Sequence, residues 1–252
     1  MPDYPFPWVF LGSFGISLIL NRPRSFRKDA QYWISGLKPP LEVYHSEFLI
    51  HETSCLITIN HYYRPGFRIW WVPFAISAVF QREIHWIMTD TWTFPNRPFS
   101  PQLARLSKVI LRRIAKLYGF DSMPPMPPDA NLILNRARSV RSVLNFVKQT
   151  KNPVIGLAPE GRDSPDGKLQ LPPPGTGRFI AHLANMGLDL IPVGAFEAGD
   201  RLCLDFGAPY RLILPEGYSP DEIDHYVSQL VMNNIANQLP IKSVLSVQSV
   251  YK

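Results

Sequence analysis

Asn60-His61 closes one apolar run, and Ala158-Pro159-Glu160-Gly161-Arg162 closes another further along the chain. A histidine at the end of a strand, with an unperturbed pKa near ~6.5, can take a proton from a hydroxyl. A Pro-Glu-Gly-Arg turn can present a carboxylate and a guanidinium to an anionic head group, and a guanidinium grips phosphate bidentately. Proline fixes the exit from the strand, and glycine permits the backbone angles of a sharp turn. The bland alternatives are a structural histidine and a turn that carries only a surface ion pair.

A second histidine has a carboxylate at the spacing His-x4-Asp, His85 to Asp90. It lies inside the expected strand Glu83 to Met88, where an odd spacing puts the two side chains on opposite faces. His61 is therefore the better base.

The elements that must carry these blocks follow from periodicity. Leu49 to Ile59 reads as a strand ending at Asn60, and Pro153 to Leu157 as a buried strand running into the second block. Phe67 to Phe80 reads as a helix, and Ser100-Pro101 starts another that extends to Tyr118 with proline at its first position. That helix has Leu103, Leu106, Ile110, Ile114 and Leu117 on one face and Arg105, Lys108, Arg112, Arg113 and Lys116 on the rest. Such a helix can sit on a membrane or line a groove for phosphates, the bland alternative being a packed helix with a solvated basic face. The proline-rich stretch Asp121 to Asp129 reads as a stiff linker. Helices over Ser139–Lys148, Gly175–Met186 and Asp221–Leu239, with strands over Leu190–Phe196 and Arg201–Phe206, complete an α/β pattern.

Composition narrows the setting. The chain has 252 residues, 46% hydrophobic and 12% aromatic with only 18% charged, and a net charge of +6. The excess positive charge points to an anionic partner, a phosphate-bearing substrate or a membrane surface. Cys55 and Cys203 both lie in apolar stretches, which suits buried reduced thiols in the cytosol rather than a disulfide framework. Trp8 to Leu20 is apolar but short of the roughly 20 residues that cross a bilayer as a helix. With Arg22, Arg24, Arg27 and Lys28 behind it, it reads as an interfacial anchor, the alternative being a core helix with a solvated basic loop. Residues 1–40 are thus expected to form a membrane-interface segment and 41–252 the main domain.

The two blocks resemble the signature motifs of the glycerolipid acyltransferases, the family that acylates lysophosphatidic acid and its relatives. The family's first block is His-x4-Asp, and its aspartate is replaced here by Gly66. Its second is Phe-Pro-Glu-Gly-Thr-Arg; here Arg162 follows the glycine directly and Asp163 stands where the family's arginine falls. Gly175 to Ala184, Ile191-Pro192-Val193 and Val231 to Pro240 are similar to later parts of the family, while its third block lacks an arginine in register, with Arg136 or Arg138 as replacements. The likeness spans about residues 45 to 240.

The resemblance implies a mixed sheet flanked by helices, of the glycerol-3-phosphate/lysophospholipid acyltransferase type. It implies transfer of a fatty acyl group from acyl-CoA or acyl carrier protein to a hydroxyl of a lysophospholipid or glycerol-phosphate acceptor, a step in phospholipid biosynthesis. His61 is the expected base, with Asn60, Arg64, Pro159, Glu160, Gly161 and Arg162 about the acceptor. No metal, bound cofactor or nucleic acid is expected; the setting is peripheral, on the cytoplasmic face of a membrane. The missing aspartate leaves a second expectation, a catalytically silent lipid-binding or scaffolding homologue, because loss of the orienting acid costs about 10⁴ in rate in comparable triads.

Overall fold

Apolar runs long enough for a strand but lacking alternation must be covered on both faces, which is how parallel strands are buried in α/β proteins. The computed structural model describes residues 2–5, 8–50, 52–92, 98–125, 132–162 and 168–240, and it has that arrangement. Its strands are β1 (Glu42–Tyr44), β2 (Cys55–Ile59), β3 (His85–Thr89), β4 (Asp121–Met123), β5 (Val154–Leu157), β6 (Asp189–Ala198) and β7 (Arg201–Phe206). They form a seven-stranded sheet in the order β1-β7-β6-β2-β5-β3-β4. Strands β6, β2, β5, β3 and β4 run parallel, and only the β6–β7 hairpin reverses direction. This is the expected mixed α/β sheet flanked by helices.

Successive side chains of the central strands feed two separate cores. Cys55, Ile57 and Ile59 of β2 point into one, while Leu56 points into the other. The first core is closed by helices α2 (Phe26–Ile34) and α3 (Trp71–Val79), whose rings interlock: Trp33 stacks on Phe74 at 4.8 Å and Phe26 stacks on the same ring at 4.8 Å. The second core is closed by α5 (Ile133–Gln149), α6 (Thr176–Asn185) and α7 (Pro220–Ala236). Gly156 of β5 shows how tight the sheet is, since a Cβ there would stand 2.3 Å from the Trp86 ring.

Two further α-helices, α1 (Trp8–Leu20) and α4 (Ser100–Tyr118), and a short 3-10 helix over Ser46–Leu49 lie among the described residues. Pro101 lies in the first turn of α4 and Gly119 ends it in the left-handed conformation, as expected for a helix of those bounds. Its apolar face is only partly packed. Ser107, Leu111, Ala115 and Leu117 are buried, whereas Leu106, Val109 and Ile110 are exposed. The apolar stripe is wider than the surface the sheet offers it, so one side remains in solvent.

Other differences are local. Asp121 to Met123 is an edge strand rather than linker, and residues 126–131 of the proline-rich stretch lie outside the described residues. Helix α2 occupies what reads in sequence as a basic loop. Arg24 donates two 2.6 Å bonds to Asp29, and Arg27 donates to the Phe80 carbonyl at 2.8 Å, so both face inward. Cys55 and Cys203 are unpaired and buried, and burial pushes the Cys55 thiol up to about 12, which keeps it inert. No described helix is long and apolar enough to cross a membrane.

Candidate functional site

Neighbouring parallel strands end on the same edge of a sheet, so β2 and β5 deliver their exits side by side. Asn60-His61 follows β2 directly, and Pro159-Glu160 follows β5 after Ala158. One carboxylate oxygen of Glu160 accepts the backbone N–H of His61 at 2.6 Å; the other accepts the backbone N–H of Gln170 at 2.7 Å. Glu160 is 1% exposed. It therefore clamps two chain segments beside the histidine, using a charged acceptor for N–H groups that the ends of strands would otherwise leave unmet.

Asn60 has an equally internal role. Its amide donates to the Ala195 carbonyl at 2.9 Å and accepts from the Ala195 N–H at 2.7 Å. A side chain thus extends the β2–β6 ladder by one rung and fixes where His61 leaves the sheet. Pro159 is buried, Gly161 takes a φ of 64° and closes the turn through its N–H to the Ala158 carbonyl at 3.2 Å, and Arg162 is exposed beyond it. Asp163 lies outside the described residues.

Arg64 is held by Glu197, near the end of β6. Its Nη2 donates to Oε1 at 2.8 Å and its Nε to Oε2. The same carboxylate accepts the hydroxyls of Tyr4 at 2.5 Å and Tyr62 at 3.2 Å. Burial of Glu197 opposes its ionisation, but the Arg64 fork and the two phenols outweigh it, and its pKa falls below the ordinary carboxylate value. Burial, aided by Glu197, raises the Tyr62 phenol to about 12, so it stays a neutral donor. Sequence reasoning missed Glu197. The signal was an acid within the otherwise apolar run Leu190 to Ala198, an odd residue to find in a buried strand.

The space at His61 is small. Asn60, His61, Tyr62, Glu160, Lys168, Leu169, Ala195, Phe196 and Leu239 enclose about 30 Å³, the share of one water molecule. The His-x4-Asp sequence further along does not meet end to end. His85 Nε2 is 3.0 Å from Asp121, whereas Asp90 takes Arg112 at 3.0 Å. Gly66, where the family's aspartate would stand, has a φ of 80°, which glycine adopts freely and aspartate only with strain. A Cβ there would meet nothing closer than Arg64 Nη1 at 3.9 Å. Gly66→Asp is therefore expected to fold, to lose about 1 kcal/mol in urea denaturation, and to place its carboxylate beside Arg64. A variant as stable as the parent would show that the loop can change its backbone.

No family model matches the chain, and no curated protein matches it. Among solved structures, the chain is similar to the crystal structure of the 1-acyl-sn-glycerophosphate (LPA) acyltransferase PlsC from Thermotoga maritima, with 17% identity and a TM-score of 0.46. That match covers 84% of this chain and 76% of the other. What the site can do is read from its own residues: a half-buried imidazole at the carboxyl edge of the sheet, a clamped turn beside it, and an exposed guanidinium at the tip of that turn.

Proposed function

We propose that this protein is a peripheral, membrane-associated acyltransferase-like protein. It moves a fatty acyl group from acyl-CoA or acyl carrier protein to a hydroxyl of a lysophospholipid or glycerol-phosphate acceptor, on the cytoplasmic face. The single observation that carries the reading is the 2.6 Å bond from the His61 N–H to Glu160, which joins the two sequence blocks into one site. His61 takes the acceptor proton, Arg162 and the Gly161 turn meet the acceptor's phosphate, and Asn60, Arg64, Pro159 and Glu160 hold the frame. The charge and exposed surface support the membrane setting. Trp8, Ile16, Ile19 and Leu20 of α1 are exposed, as are Leu106 and Val109 of α4, and the two helices meet where Phe14 stacks on Tyr118 at 6.3 Å. Arg105 and Arg113 are exposed on α4 beside those apolar residues.

The size of the space at His61 favours a second reading, a silent lipid-binding or scaffolding homologue, because about 30 Å³ admits no acyl chain. One assay divides them: labelled acyl-CoA or acyl carrier protein with a panel of lysophospholipids in mixed micelles, wild type beside His61→Ala. The expected result is turnover that falls by roughly 10² to 10⁴ in His61→Ala. No turnover above that variant, on any acceptor with either donor, moves the conclusion to the silent homologue.

A further inference from the structure

A second and larger opening lies away from His61, across the free edge of β4, between α4 and α5. Its volume is about 500 Å³, within the range of small-molecule sites. Arg112 and Lys116 line it from α4, Arg138 from α5, and Asp90 and Asp121 from the strand ends. The two carboxylates have partners of their own. Asp90 is 4% exposed and takes Arg112 at 3.0 Å and Lys108 at 3.7 Å, while Asp121 takes His85 Nε2 at 3.0 Å. None of the ion pairs among the described residues involves Lys116 or Arg138, and both are exposed.

The floor adds a donor. The Met123 carbonyl accepts the Asp90 N–H at 2.8 Å and so turns inward to β3. Alternation along the strand turns Ser122 outward, and its carbonyl is met by the Ser139 hydroxyl at 2.7 Å. The N–H of Ser122 turns to the same outer edge of β4, and Ser122 lines the opening. Arg136, by contrast, is spent on the carbonyls of Pro124 and Pro125, at 3.2 and 3.3 Å.

We propose that this cleft binds a phosphate ester through Lys116, Arg138 and the outward N–H of Ser122. Two cations and a backbone donor on a rigid strand edge suit a doubly charged tetrahedral anion; of the carboxylates nearby, Asp90 is paired with Arg112 and Lys108, and Asp121 is hydrogen-bonded to His85. The cleft stands three strands from β2, about 14 Å along the same sheet. It is a subsite separate from the imidazole and does not depend on what His61 does. The phosphate can come from a soluble carrier or from a lipid head group.

The test is equilibrium binding to the full chain with two probes, adenosine 3′,5′-bisphosphate in solution and phosphatidylcholine vesicles with and without phosphatidic acid. Lys116→Gln/Arg138→Gln is compared with Arg141→Gln/Lys148→Gln, which removes equal charge from exposed positions of α5 outside the cleft. The expected result is at least about tenfold weaker binding in the cleft pair and about twofold or less in the control pair. That contrast with the soluble bisphosphate assigns a soluble carrier; the same contrast only on phosphatidic acid vesicles assigns a head group. Equal losses in both pairs, or no binding of either probe, overturn the proposal. Binding needs no turnover, so an inert His61 leaves these outcomes unchanged.

Discussion

Glu160→Ala is expected to lower the unfolding free energy by about 3 kcal/mol, the sum of two hydrogen bonds to a charged acceptor at roughly 1.5 kcal/mol each. The substitution removes the acceptor shared by the His61 and Gln170 N–H groups and leaves no side chain to replace it. Glu160→Gln should lose about half as much, because its carbonyl still accepts one N–H while its amide faces the other. Urea denaturation checks both, with an unchanged slope as the sign that stability alone has moved. A carboxylate whose task was only to hold an acceptor would behave differently, raising KM and leaving the denaturation midpoint in place. Loss of less than about 1 kcal/mol in the alanine variant would therefore sink the clamp.

The parts of this fold that are legible in the sequence are the ones with strong local constraint. Strands β2 and β5, and β6 from Leu190 to Phe196, are covered on both faces, so each is written as a run of apolar or small residues. Helix α4 has its proline start, its glycine stop and a 3.6 periodicity that survives even where the face is exposed. Strands β1 and β4 are three residues long and sit at the two edges of the sheet, where a partner on one side suffices and composition is unconstrained. Helix α2 hides because Arg24 ahead of it and Arg27 within it look solvated until Asp29 and the distant Phe80 carbonyl are folded around them.

The site divides in the same way. His61 and Glu160 stand at the ends of apolar strands, and strand ends are easily read. That Asn60 is a rung of the sheet, and Glu160 a backbone clamp, depends on β6 and on Gln170, which no local pattern announces. Glu197 is the extreme case, since its donors come from Tyr4, Tyr62 and Arg64.

Arg64→Ala should cost about 3 kcal/mol, because it takes the cation from a carboxylate that has only 8% of its side chain exposed and leaves it to two neutral phenols. Glu197→Gln should cost less, since the Arg64 it leaves behind is more open, at 22%. The two changes share one interaction, so the double variant should be less damaged than the sum of the single ones. The loop from Tyr62 to Gly66 hangs from this carboxylate, and its amides should exchange faster with solvent in either variant. The pH dependence has a definite sign. The folded-state pKa of Glu197 lies below its unfolded value of about 4.3, so its contribution is complete above that value. It is lost as pH falls through the folded pKa. The gap in denaturation midpoint between wild type and Glu197→Gln should thus hold steady from pH 7 to about 5 and close in stronger acid. A gap that stays constant into strong acid would mean that the ion pair does not set the loop's stability, and that packing of Tyr4, Tyr62 and Phe67 does.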